Sequence, residues 1–367
     1  MVLWGPLPWL DGDQHEAPKL IFIAAIRCHI PLGRQKGGET MRKGPVAGTE
    51  MTTGWGLKTL TRDGLDKIHA ATLDVMQTTG ISVGSDEALV ILEKGGCWVN
   101  RKTHVARFPS NVVTEALSSC PSHILLAGRD PANDFMMGGK EVGFTTFGTG
   151  VLVIDHETEK LRESTKKDMA ETALLSDAMD NVDVLTTPVA ARDKPDSSYD
   201  LHMAEASFIN CSKHLHSDAE DGVRAVKIIE MAAAIVGGEE ELRRRPIVSL
   251  CICPTSPLQL ISPMCEVIIE AARHWIPIDI LSMAMAGASG PISLSGTLVT
   301  HNAEVLSGLV LAQLTNRGPP VIYGSSTTTF DMKRSTAIVG APELGMMSAV
   351  VAELANYYNL PSYVAGG

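Results

Sequence analysis

From residue 181 onward the chain alternates short apolar β-prone runs with segments of helical period, and this alternation limits the fold more than any other feature. Regular strand–helix alternation implies a parallel sheet joined by right-handed crossovers. The pattern predicts strands over 182–189, 214–217, 247–253, 278–285 and 321–323. Helices are predicted over 199–210, 222–236, 263–273, 299–314 and 342–358, and a further strand opens at Leu360. The expected fold class is α/β: an incomplete (β/α)8 TIM barrel preceded by an N-terminal, mostly helical α+β region. A closed barrel uses about eight such units, and an open doubly wound sheet is the alternative.

Ahead of the repeat, helices are expected over 64–79 and 86–93, with Gly80 closing the first. A hairpin is expected around 97–99 and 104–108, and a helix over 112–117 capped by Ser110. Strands are expected over 142–147 and 151–155. Thr165 and Asp168 have capping-box spacing. The expected organisation is an N-terminal extension over 1–50, a helical and hairpin region over 51–164 and the partial barrel over 165–367. Residues 1–50 carry no sustained period, and an over-extended start, with Met41 or Met51 as the true one, explains them.

Composition narrows the function classes. With 367 residues, 44% of them hydrophobic, the chain can bury a large core. A net charge of −11 gives no sign of a basic surface for nucleic acid. No apolar run near the N-terminus is long enough to span a membrane. Seven scattered cysteines argue for a reducing cytoplasm rather than a disulfide framework.

The chemistry-bearing residues are few. His214 and His216 alternate on one strand face, a spacing known from barrel metal hydrolases, but the later ligands of such a site are not in place, so no metal is expected. A role for both histidines in contacting a substrate is the better reading. Cys251 and Cys253 also share a strand face and read as core residues. Asp218 reads as the start of a helix. Asp331 follows the fifth strand, where a carboxylate could meet a cationic substrate. Loops at the C-terminal strand ends carry the other candidates: Phe147 and Gly148, then Ser325 and Ser326.

Several segments together resemble the trimethylamine methyltransferase (MttB-like) superfamily. They are Leu65-Asp66-Lys67-Ile68-His69, the run 143–150, Pro254-Thr255-Ser256-Pro257-Leu258, the run 287–293, the loop 323–327 and the final stretch from Leu360 to Gly367. The resemblance implies a TIM barrel that moves a methyl group from a methylated amine to the cobalt of a separate corrinoid protein. No cofactor is then bound directly, and the partner carries the corrinoid. It further implies a pyrrolysine, encoded by an in-frame amber codon, expected just after Gly367, so that the chain would be a fragment lacking it. A homo-oligomer is expected. Two other readings remain: a glycine-betaine-type enzyme without pyrrolysine, and an inactive remnant that at most binds the corrinoid protein.

Overall fold

In the computed structural model, residues 58–366 are described; the expectations for 1–50 and for Gly367 fall outside them. Six parallel strands form the central sheet: β1 Val184–Thr186, β2 His214–Asp218, β3 Val248–Ile252, β4 Ile278–Ser282, β5 Val321–Ser325 and β6 Ser362–Val364. Each pairs with its sequence neighbour, in the order β6-β5-β4-β3-β2-β1. A doubly wound sheet reverses its strand order at a switch point, and this one does not. The sheet also curls. Val184 of β1 and Ile322 of β5 share one small apolar cluster, and the His216 ring of β2 stacks on Tyr363 of β6 with centroids 5.2 Å apart. The fold is therefore an arc of a (β/α) barrel.

The crossover helices are α1 Tyr199–Asn210, α2 Gly222–Val236, α3 Ser262–His274, α4 Leu294–Thr315 and α5 Pro342–Tyr358. The sequence places α1, α2 and α5 at their observed ends. It starts α4 five residues late, because Leu294 to Leu298 interrupts the apolar run with Ser, Gly and Thr; Ser293 caps this turn by accepting from the Gly296 amide. Helix α4 is apolar on all sides because it is covered on all sides. The sheet lies under it, and the N-terminal helices Arg62–Thr78 and Ser110–Ser119 lie over it. Residues of both regions, such as Met76, Leu89, Leu309 and Val310, belong to a single core. Inside it Asn302 of α4 donates to Thr72 Oγ1 at 2.9 Å and accepts from the Tyr323 hydroxyl at 2.7 Å. These bonds satisfy polar atoms that burial would otherwise penalise.

Several expectations need correction. Ser110 is the first residue of its helix and makes no side-chain cap; Pro109 is the N-cap. The stretch 142–147 is not a strand, and it meets the β1 edge at one bridge, Thr145 to Val184. The run 278–285 breaks after Ser282, with Met285–Ala286 joining a second small sheet. That sheet also takes Thr328–Asp331 and Thr336–Ile338, a hairpin not foreseen in the sequence. A second unforeseen hairpin, His123–Leu126 with Phe135–Gly138, lies at the N-terminal ends of the strands and supplies Ile124 and Leu126 to the apolar cluster on the sheet's concave face. The capping box of Thr165 and Asp168 forms as foreseen. None of the described helices is long and apolar enough to cross a membrane. The six cysteines among the described residues are unpaired.

Candidate functional site inside the barrel arc

Strand alternation divides the sheet into two faces. Leu215, Leu250, Ile252, Ile278, Ile280 and Tyr323 face the helices. His214, His216 and Asp218 of β2, Ser249 and Cys251 of β3, and Asp279 of β4 take the other parity and line the concave interior. In register, Cys251 lies opposite both Asp218 and Asp279. Each of these residues is held by a rigid strand rather than by a loop.

His214 is fully buried at the N-terminal end of β2. Its Nδ1 lies 3.2 Å from the Ala127 carbonyl and 3.1 Å from that of Pro246. Its Nε2 is 2.9 Å from Ser249 Oγ, and the same hydroxyl is 2.9 Å from His216 Nδ1. Burial holds His214 at about 3, so its ring is neutral. His216 Nε2 lies 3.3 Å from Asp279 Oδ2 without hydrogen-bond alignment. Burial pushes the Asp279 carboxyl above the usual carboxylate range, against the pull of His216. Glycine at position 324 makes room for that carboxylate: a Cβ there would come within 2.0 Å of Asp279 Oδ1.

Toward the strand ends the interior becomes more open. Asp218 Oδ2 accepts from Thr149 Oγ1 at 2.9 Å, and burial raises this carboxyl as well. Tyr363 stands beside His216, its hydroxyl pushed up to about 12 by burial, against the pull of a hydrogen bond with Thr186. The stretch 145–150 reaches this region because Thr145 and Thr149 hydrogen-bond to Thr186 and Thr187 at the end of β1.

The sequence candidates therefore separate. His214 and His216 both lie on strand β2 in the interior. Gly148 packs tightly on the Thr187 carbonyl, 2.8 Å from where its Cβ would stand. Phe147 beside it is exposed. Ser325 takes the helix-facing parity of Tyr323 and its Oγ accepts from the Thr327 amide at 3.2 Å. Ser326 donates its amide to the Ser282 carbonyl at 2.9 Å. Asp331 accepts from the amides of Lys333 and Arg334, which fixes the turn of its hairpin. Asp279 was missed in the sequence, although a lone carboxylate inside Ile-Asp-Ile-Leu is the signal that could have exposed it. Cys251 and Asp218 were seen but read as core filler and helix start.

A separate cavity of about 810 Å³ lies by Leu360 and Pro361, at the N-terminal end of β6 and lined also by Met137, Arg62 and Tyr357. It is at the opposite end of the strands from Asp218, and among its lining residues there is no comparable cluster of imidazole, thiol and carboxylate.

The fold and interior define a (β/α)-barrel protein whose polar groups converge beneath the C-terminal strand ends, the usual place for catalysis in such barrels. Residues 34–367 match the model of the trimethylamine methyltransferase (MTTB) family, and the chain belongs to that family. It is 51% identical to the trimethylamine methyltransferase MttB of Desulfitobacterium hafniense, over 88% of this chain and 65% of that protein. Against the MttB of Methanosarcina barkeri the identity is 48%, over 88% of this chain and 66% of that one. A glycine betaine methyltransferase of Desulfitobacterium hafniense is 33% identical, over 84% and 64%. The chain thus spans about two thirds of the length of these relatives. The crystal structure of a hydroxylamine MtmB complex shares the fold with a TM-score of 0.50 at 11% identity, covering 84% of this chain and 66% of that one.

Proposed function

We propose that this chain belongs to an enzyme that transfers a methyl group from trimethylamine to the cobalt of a corrinoid carried by a separate protein. The higher identity to proteins named for trimethylamine than to one named for glycine betaine supports the substrate. The observation that carries the reading is the Asp218 carboxylate near the strand ends, on the concave face that also carries Tyr363, whose ring stacks on His216. Protonated trimethylamine offers one N–H donor and three methyl groups bearing partial positive charge. A half-enclosed carboxylate accepts the first, and an aromatic face attracts the others.

The charge on nitrogen is a chemical requirement. As the C–N bond breaks, its electron pair stays on nitrogen and dimethylamine leaves neutral. The methyl carbon bonds to the electron pair of cobalt(I), which becomes methylcobalt(III). Asp218 contributes by holding the cation and orienting one C–N bond toward the mouth. Exposed apolar side chains at that end, among them Phe147, Met283, Ile292 and Met332, form a surface suited to docking the corrinoid protein. The same reading places the enzyme in the cytoplasm, where cobalt(I) and the thiols stay reduced.

Calorimetric titration tests the substrate assignment. Trimethylammonium should bind more tightly than glycine betaine, and Asp218→Asn should weaken it by about tenfold or more, the loss of one charge-assisted hydrogen bond. Tighter binding of glycine betaine would move the substrate to the other branch. Binding of neither ligand would remove the reading.

A further inference from the structure

The hydrogen bonds around Ser249 fix the proton positions on two histidines. His214 Nδ1 faces two carbonyl oxygens, which only accept, so Nδ1 carries the proton. With the proton on Nδ1, the Nε2 of this tautomer is an acceptor that takes the single hydroxyl proton of Ser249. The Ser249 oxygen then has only lone pairs left for His216, whose Nδ1–H must donate to it. In the neutral ring this leaves His216 Nε2 as a bare lone pair. That lone pair stands 3.3 Å from Asp279 Oδ2. His216 Nε2 and both Asp279 oxygens are buried without a hydrogen-bond partner. Two acceptors this close repel each other unless a cation joins them, and an unpaired buried charge is costly. One donor atom each from His216, Cys251 and Asp279 lie within 4.8 Å of one another.

We infer that His216, Cys251 and Asp279 bind a divalent transition metal of the zinc type inside the barrel arc. The donors are a nitrogen, a sulfur and an oxygen, a set that suits zinc or cobalt and not magnesium or calcium. They come from three consecutive strands, β2, β3 and β4, so the backbone holds them with little freedom. Three protein donors leave a fourth position open. The Ser249 contact to His216 Nδ1 is the kind of outer hydrogen bond that orients a metal-binding imidazole. Gly324 gives the Asp279 carboxylate the room to turn toward the group. The competing cation is a proton shared by His216 and Asp279, which leaves Cys251 without a part. The inference does not rest on the methyl-transfer reading, and its readout involves no substrate.

The test strips the chain with a chelator and titrates it with Co²⁺ under reducing, oxygen-free conditions. The expected result is one bound equivalent, with a thiolate-to-cobalt charge-transfer band that Zn²⁺ abolishes by displacement. Cys251→Ser should remove the band, whereas Cys265→Ser, a buried thiol elsewhere, should keep it. Asp279→Asn should weaken binding by about 100-fold or more, beyond what loss of an outer contact does. X-ray absorption on the zinc-loaded wild type should show one sulfur at about 2.3 Å and needs no variant to fold. Failure of the wild type to take up metal stoichiometrically would assign the cation as a proton and overturn the inference. Survival of the band in a folded Cys251→Ser protein, or no sulfur in the absorption data, would overturn it equally.

Discussion

The two faces of the six-stranded sheet are built from the same strands and behave in opposite ways. On the helix side Leu250, Ile280 and Leu309 fill space, and Glu304 of α4 accepts from Ser282 Oγ, Ser256 Oγ and the Leu258 amide, while the buried His301 Nε2 there has no partner. On the concave side His216 and Asp279 are as deeply buried but keep polar atoms without partners. The helix face is made for stability, and Glu304 there ties loops to a helix. The concave face keeps chemistry that folding alone does not explain. Buried polar groups are normally paired, and only on the concave face do two unpartnered groups, His216 and Asp279, face each other at 3.3 Å among the described residues.

The contrast can be broken at several points. The largest effect should come from the helix face. Leu309→Ala removes a side chain with no exposed surface and should cost about 2–5 kcal/mol in denaturant unfolding. A loss below 1 kcal/mol would mean that α4 is less tightly enclosed than described. On the concave face Gly324→Ala should cost about 1–3 kcal/mol by overpacking, since the new Cβ would lie 2.0 Å from Asp279 Oδ1 and 2.8 Å from Leu281 Cα. Adding Asp279→Ala should recover part of that loss, and strict additivity in the cycle would separate the two residues.

Ser249→Ala removes the hydroxyl shared by the two histidines and should cost about 1–3 kcal/mol, as buried partners lose their bond. Proton NMR of the ring N–H groups should show the His216 tautomer released, and an unchanged spectrum would contradict the relay. The gentlest probe is pH. Burial holds folded His214 at about 3 against an ordinary 6.5, with His216 and Asp134 as its titratable neighbours. Folding favours its neutral form, so its contribution is complete above about pH 6.5 and is lost as pH falls toward 3. Asp218 and Asp279 are raised and act in the opposite sense, so the comparison must be with a variant. The stability advantage of wild type over His214→Asn should shrink from about pH 7 to about pH 4. An advantage that stays constant would mean that His214 is not held neutral.

Much of the barrel arc was legible because its signals are local. Strand runs, helix periods and the caps around Thr165 and Pro342 depend on neighbours in sequence. The hairpins at 123–138 and 328–338 were not legible, since Met136 and Thr336 sit in strands only because a partner strand lies beside them. Of the candidate site, the two histidines on one face of β2 could be read from their spacing. Their division of labour could not: His214 meets the carbonyls of Ala127 and Pro246, residues distant in the chain. The meeting of Cys251 with Asp279, and of Tyr363 with His216, likewise requires the sheet to pair and curl.

By itself the sequence determined the alternation of elements, the ends of α1, α2 and α5 and the family resemblance, because each follows from residue type and short-range period. The tertiary structure alone decided that the sheet curls rather than reverses, that Ser325 and Asp331 are engaged in local backbone hydrogen bonds, and that an imidazole, a thiol and a carboxylate converge. Convergence of this kind is set by strand register. A shift of one residue would turn Asp279 or Cys251 to the opposite face of the sheet, and that register exists only once the strands are paired.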